Sequence, residues 1–103
     1  MTDNELVLRI PHSLGAAEAQ RRIASGIDAA KSQYGPFLRG AETTWNENRM
    51  NFRLFALAQT VQGRIDVDEH FVELRAQLPL VMRLLAKRFL PTIENTGRKL
   101  ISP

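Results

Sequence analysis

The stretch VQGRIDVDEHFVELRAQ, residues 61–77, decides the fold of this chain. Apolar side chains alternate with polar or charged ones on both sides of a short acidic segment, as expected for two strands that each bury one face. The apolar positions are Val61, Ile65, Val67, Val72, Leu74 and Ala76. Two such strands so close in sequence form a hairpin, and a hairpin predicts an antiparallel sheet.

The turn of this hairpin can be placed in two ways. A two-residue turn at Asp68–Glu69 puts Arg64 opposite Glu73, whereas a longer loop puts Arg64 opposite Arg75 and Asp66 opposite Glu73. Asp-Glu is not a preferred turn dipeptide, which counts against the shorter turn. Like charges directly opposite each other destabilise a sheet, however, so we expect the shorter turn.

A second hairpin precedes the first. If Glu47–Asn48 forms its two-residue turn, Trp45 faces Met50 on one side of the sheet and Glu42 faces Arg53 on the other. Apolar packing and charge pairing both favour this register.

A strand and a helix open the chain. Residues 6–10 alternate with a period of two, and Pro11 ends the strand. Ser13 is a suitable N-cap for a helix that stops at Gly35–Pro36. Its apolar stripe is Ala16, Ala19, Ile23, Ile27, Ala30 and Tyr34, and its outward face carries Arg21, Arg22, Asp28 and Lys31. This spacing predicts a helix that lies on the sheet.

A second amphipathic helix opens at Pro79 or Leu80. Its apolar stripe is Leu80, Leu84, Leu85, Phe89, Ile93, Leu100 and Ile101. Pro91 removes one helical hydrogen bond and crowds the preceding turn, so we expect a kink or break between Lys87 and Pro91.

The elements therefore follow the order β-α-β-β-β-β-α. We expect one α+β domain over residues 1–103, a two-layer sandwich with an antiparallel sheet of about five strands and both helices on one face. The expected core is Leu8, Ile10, Ile23, Ile27, Trp45, Phe52, Ile65, Leu74, Leu84 and Phe89.

Composition excludes several classes of function. A net charge of +3 is too modest to indicate a nucleic-acid partner. The absence of cysteine excludes disulfides and thiolate chemistry and suits a reducing compartment. The acidic start, residues 1–5, is unlike a signal peptide, and the apolar stretch 78–86 is too short for a membrane span. We expect a cytoplasmic protein with no transmembrane segment.

The residues that could suggest catalysis or metal binding are each explained by a structural role or by exposure to solvent. We interpret His12 as a local structural residue and His70 as exposed, because neither has a positioned partner in sequence. The acidic set Asp66, Asp68, Glu69 and Glu73 is interpreted as a solvated face, and Gly63 as a relief of crowding under a helix. We therefore predict no enzyme, no metal site and no cofactor.

Two surfaces remain as candidates for binding. One is the basic set on the last helix, Arg83, Lys87, Arg88, Arg98 and Lys99, which suits an anionic or lipid surface unless these cations are merely solvated. The other is an apolar set on the sheet face away from the helices, Val7, Phe55, Leu57 and Phe71. A homodimer through that face is the simplest way to cover it.

Four features together resemble a bacterial family, the polyhydroxyalkanoic acid system proteins. They are HSLG at residues 12–15, the alanine-rich helix, Trp45 before Phe52, and residues 61–79. The loop 34–40 and Pro91 depart from the family's usual pattern. The resemblance implies a non-enzymatic accessory or interaction protein near polyester granules or their synthesis machinery, since the family is named for that association and not for a reaction.

The alternative function is a small carrier for an apolar, acyl-type ligand. The ligand would lie between the sheet and the helices, near Trp45, Phe52 and Phe89. A filled core would favour the interaction protein, and an apolar cavity with a few polar groups would favour the carrier.

Overall fold

A computed structural model describes residues 5–35, 40–56 and 59–102. The elements, in chain order, are β1 (Glu5–Pro11), α1 (Ala16–Tyr34), β2 (Gly40–Asn46), β3 (Arg49–Ala56), β4 (Gln59–Val67), β5 (Phe71–Gln77) and α2 (Leu80–Leu100). Leu57 lies outside the described residues, as do the side chains of Tyr34, Leu80, Leu85 and Phe89. The predicted α+β order is confirmed.

The five strands form one antiparallel sheet in the order β1-β5-β4-β3-β2. The β2–β3 hairpin has the predicted register, with Trp45 opposite Met50 and Glu42 opposite Arg53. We call the face that packs against the helices the inner face and the opposite one the outer face.

The predicted turn between β4 and β5 is wrong. Arg64 lies opposite Arg75, and Asp66 opposite Glu73, so the turn is formed by Glu69 and His70 instead. The like charges are accommodated because each arginine bonds a carboxylate on its own strand: Arg64 to Asp66 at 3.1 Å and Arg75 to Glu73 at 2.8 Å. The shift moves each pairing by two residues, so every side chain keeps its predicted face.

The predicted N-cap of α1 is also wrong. The helix begins at Ala16 after Gly15, whose φ of 82° is a conformation that favours glycine, and Ser13 supplies no capping bond. The backbone N–H of Ala16 instead donates to Oε2 of Glu69, at 3.3 Å. A side chain from the β4–β5 turn therefore bonds the start of the helix.

The inner face carries two buried apolar clusters, of which the larger holds the helices. The larger comprises Ile10, Ala19, Ile23, Val67, Val72 and Ile101, and therefore joins β1, β4 and β5 to α1 and the end of α2. The smaller comprises Val61, Ala76 and Leu78. Of the predicted core, Ile10 and Ile23 are buried, whereas Leu8, Ile27, Trp45, Phe52, Ile65 and Leu74 are half-buried.

Leu84 does not belong to the core, since it is 65% exposed. The end of α2 packs through Leu100 against Gly26 of α1. Leu84 and Leu100 are separated by about four and a half turns at 3.6 residues per turn, which puts them on opposite sides of a helix. The helix also continues through Pro91, so the predicted break does not occur.

Candidate functional site

An apolar cleft of about 370 Å³ lies between α1 and the inner face of the sheet. Its described lining is apolar except for Lys31 and Thr43. The apolar lining residues are Ile27, Ala30, Ala41, Met50, Phe52, Leu54, Ile65 and Leu74. The size and the lining are those of a binding site for a small apolar ligand.

The cleft exists because α1 is buried at its start and not at its end. Along the stripe that faces the sheet, Ala19 and Ile23 are buried, Ile27 is half-buried and Ala30 is exposed. Alanine at position 30 has no side chain long enough to reach the sheet. Phe52, predicted as core, therefore forms part of a wall that is open to a ligand.

Lys31 supplies the cation of the cleft. Its Nζ lies 2.6 Å from Oγ1 of Thr43, so the ammonium donates to the hydroxyl across the gap between α1 and β2. In the described part of the chain, Lys31 has no carboxylate partner. The sequence-based assignment of Lys31 to the outward face is wrong, because one turn after Ile27 the side chain reaches the cleft edge.

The carrier hypothesis located this pocket only in part. Phe52 lines the cleft as expected, Trp45 is not in its described lining, and the side chain of Phe89 lies outside the described residues. The sequence does contain a signal for the cleft. Ala30 on α1 and Ala41 on β2 are small residues at apolar positions, where a filled core would have large side chains.

His12 is placed by two backbone groups. Its Nε2 lies 2.9 Å from the carbonyl oxygen of Asp68, and the N–H of Leu14 donates to its Nδ1 at 3.2 Å. A depression of about 410 Å³ adjoins it, lined also by Arg98 and Ser102. Both ring nitrogens are therefore engaged by backbone groups, which is the local bonding expected of a structural histidine. His70 is exposed.

Of the predicted acidic set, Asp66 and Glu73 lie on the outer face and are ion-paired, contrary to the expectation, whereas Asp68 and Glu69 are exposed at the turn. Glu73 is just 8% exposed and lies between Arg9, at 2.7 Å, and Arg75, at 2.8 Å. Hydrogen bonds from these two guanidinium groups lower the pKa of Glu73. Asp66 pairs with Arg49 at 2.5 Å.

These pairs also explain why a larger depression is a weaker candidate. It has about 560 Å³ and is lined by Arg9, Arg49, Asp66 and Glu73 among others. Its charged walls already bond one another, so a ligand would have to displace those bonds. Within the residues that the structure describes, no three His, Asp or Glu side chains converge as metal ligands would.

The predicted apolar set lies on the outer face but is divided. Val7 is 46% exposed on the edge strand β1, and Phe55 is 37% exposed on β3, whereas Phe71 is half-buried with the Arg9 guanidinium 4.4 Å from its ring centre. Ion pairs of β4 and β5 lie between Phe71 and Phe55 in the register of the sheet. Leu57, the fourth member, is outside the described residues.

The predicted basic set on α2 is mostly exposed. Lys87, Arg88 and Lys99 are exposed, Arg98 pairs with Glu94 at 2.7 Å, and Arg83 is half-buried and has a bonding partner. Leu84 precedes Lys87 and Arg88 by about one turn, so an exposed apolar side chain adjoins two cations. No helix, over the parts of the chain described, is long and apolar enough to cross a membrane.

The chain matches a known protein family. The family model described as polyhydroxyalkanoic acid system protein matches residues 6–101, nearly the whole chain. No curated protein matches the chain. The match spans β1 to the end of α2, and therefore includes every element that forms the cleft.

Proposed function

The chain belongs to the family of polyhydroxyalkanoic acid system proteins, and on that basis we propose that it is a non-enzymatic accessory protein that docks on polyester granules in the cytoplasm. Polyhydroxyalkanoic acids are aliphatic polyesters, so their granules offer a surface rich in hydrocarbon. A docking protein for such a surface needs exposed apolar side chains, and cations if the surface carries anionic groups.

The exposure of Leu84 carries this proposal. A leucine side chain that is 65% exposed on a helix adds little to the free energy of folding, but it can insert into an apolar surface. Ile93, 40% exposed, lies nine residues after Leu84 and therefore on the opposite side of α2, so it is not part of the surface around Leu84. Lys87 and Arg88 adjoin Leu84 and supply positive charge. We define the α2 surface as Leu84, Lys87, Arg88 and Lys99.

Sedimentation of the purified protein with isolated polyester granules tests this function. We expect the parent chain to pellet with granules and with vesicles of anionic phospholipid, and less so at high salt, which screens exposed charges. Leu84→Ser should weaken pelleting about tenfold or more, because burying a leucine side chain contributes roughly 1.5–3 kcal/mol. Lys87→Gln should reduce the salt-sensitive part of the pelleting.

Arg53→Gln is the matched control. Arg53 is an exposed cation on the outer face of β3, away from α2, and its removal lowers the net charge by the same unit as Lys87→Gln. Pelleting should be unchanged in this variant. Equal pelleting of the parent and Leu84→Ser would contradict docking through α2, as would a parent chain that stays in solution at low salt.

The partners that we propose are a second copy of the chain and the granule surface. The protein acts as a homodimer and has no nucleic-acid partner; a net charge of +3 supports the second point. Turnover of acyl-thioesters or of polyester by the purified protein would contradict the non-enzymatic role. Salt-sensitive binding of DNA or RNA would contradict the stated partners.

A second function is supported by a separate observation, the apolar cleft beneath α1. A cavity with apolar walls and a few polar groups is the feature expected of a small carrier for an acyl-type ligand. The cleft and the α2 surface share no residue, so carrying and docking are compatible and can be tested independently.

A further inference from the structure

We propose that the cleft between α1 and the sheet binds a medium-length fatty carboxylate, with the alkyl chain on the apolar walls and the carboxylate on Lys31. This inference rests on the carrier function proposed above and is independent of the α2 surface. It adds the class of ligand and the residue that selects it.

The volume of the cleft sets the length of the chain. A methylene group occupies about as much space as a water molecule in the liquid, roughly 30 Å³. A cleft of about 370 Å³ therefore accommodates about ten to twelve carbon atoms. Phe52, Leu54, Ile65 and Leu74 are half-buried without a ligand, so an alkyl chain that covers them removes further apolar surface from water.

The charge of Lys31 selects the head group. The ammonium is half-buried beside apolar walls and bonds a neutral hydroxyl, Thr43 Oγ1, at 2.6 Å. The nearest carboxylate on its own helix, Asp28, is one turn earlier, exposed and not bonded to it. A ligand carboxylate would accept a charge-assisted hydrogen bond from Nζ, and the Thr43 hydroxyl can rotate to donate a second one.

An uncharged ligand tests whether the Lys31 ammonium selects a carboxylate. An alcohol of the same length fills the same walls but offers no charge to the ammonium. A hydrogen bond to a charged group is worth enough to change affinity by about tenfold or more. Decanoate should therefore bind at least about tenfold more tightly than 1-decanol, and butyrate, with too little chain to cover the walls, should bind more weakly than either.

The single tryptophan provides the readout. Trp45 lies opposite Met50, which lines the cleft, so its emission should change when a chain displaces water there. We would titrate the full chain with decanoate, 1-decanol and butyrate, following Trp45 fluorescence, and repeat the titrations by calorimetry as a readout that does not depend on Trp45.

Two variants with matched controls locate the site. Lys31→Met keeps the apolar stem and removes the charge, so it should weaken decanoate binding about tenfold or more and leave 1-decanol binding unchanged. Arg53→Met, which removes an exposed cation from the outer face of β3, should affect neither ligand. Ala30→Phe should block the cleft and weaken both ligands, whereas Ala29→Phe, exposed and outside the described lining, should weaken neither. Thermal melts establish that each variant is folded.

The titrations distinguish the carboxylate-binding role of Lys31 from the carrier function. Preference for decanoate that Lys31→Met abolishes supports the inference. Equal binding of decanoate and 1-decanol, or decanoate binding that survives Lys31→Met, overturns it and leaves the carrier function standing if Ala30→Phe still blocks both. If the parent chain binds neither ligand, both the inference and the carrier function are wrong.

Discussion

The Nε2 atom of His12 lies 2.9 Å from the carbonyl oxygen of Asp68, so an imidazole joins the end of β1 to the β4–β5 turn. The Leu14 N–H donates to Nδ1 of the same ring. Nδ1 must therefore be the acceptor, and Nε2–H donates a hydrogen bond to the backbone carbonyl oxygen of Asp68. The backbone N–H of His12 also donates to the carbonyl of His70, at 2.9 Å. One residue thus connects three segments of the chain.

His12→Ala should lower the free energy of unfolding by about 1–2 kcal/mol, because it removes two hydrogen bonds. Urea denaturation followed by circular dichroism measures the loss. His70→Ala is the matched control: the side chain is exposed and has no described hydrogen bond, so the change should stay within roughly 0.5 kcal/mol. Equal effects of the two substitutions would contradict the role assigned to His12.

Glu73 should make the stability of the fold sensitive to acid. Its pKa in the folded chain is lowered, from an ordinary value of 4.5, by the bonds from Arg9 and Arg75. The stabilisation is therefore present above pH 4.5 and is lost as the pH falls below that value. Glu73→Gln should lower the free energy of unfolding at neutral pH by about 1–3 kcal/mol and flatten the decline in acid.

The control for Glu73 is Glu42→Gln. Glu42 lies on the same face, at the exposed edge strand β2, and has no described ion pair. The parent pH profile should persist in this variant. If the two variants show the same profile, the Arg9–Glu73–Arg75 group does not govern the acid response.

The strands and their faces could be predicted from the sequence because side-chain alternation depends only on neighbouring residues. The Trp45–Met50 pairing is an example, since the short polar turn left little choice of register. The β4–β5 register was not predictable from opposite pairs alone. Arg64 pairs with Asp66, and Arg75 with Glu73, each along its own strand. A rule that considers only directly opposite residues does not take such pairs into account.

The cleft could not be predicted from hydrophobic periodicity. A stripe through Ile23, Ile27 and Ala30 shows which side of α1 is apolar, but not how far from the sheet each turn lies. The angle of α1 follows from contacts distant in sequence, including Gly26 against Leu100. Exposure of Leu84 has a similar origin, because the end of α2 fixes which side of that helix is buried.

Gly63→Ala should destabilise the sheet strongly. A Cβ at this position would overlap the carbonyl oxygen of Arg75 and lie 2.9 Å from Cζ of Phe52. The crowding therefore comes from β5 and from the Phe52 ring, and not from a helix as the sequence suggested. Because the nearer contact is backbone, relief requires movement of the strands, and we expect a loss of about 3 kcal/mol in urea denaturation.

Gly35→Ala is the contrasting substitution. A Cβ there would have no heavy atom within 4 Å, and the backbone φ of −49° suits alanine. Stability should rise by about 0.4–1 kcal/mol, because alanine restricts the unfolded chain. A Gly63→Ala variant as stable as Gly35→Ala would show that the sheet relaxes at no cost, contrary to the close approach of β5.

The outer face should form the interface of a homodimer. Val7 and Phe55 are large apolar side chains that are 46% and 37% exposed, and a second copy related by a two-fold axis would cover both. Sedimentation at high micromolar concentration should give the mass of a dimer for the parent and of a monomer for Phe55→Glu, because a buried, unpaired carboxylate opposes association. Ala29→Glu, at an exposed position of α1 on the other side of the sheet, should remain dimeric. A monomeric parent, or a Phe55→Glu variant that dimerises equally well, would rule out this interface.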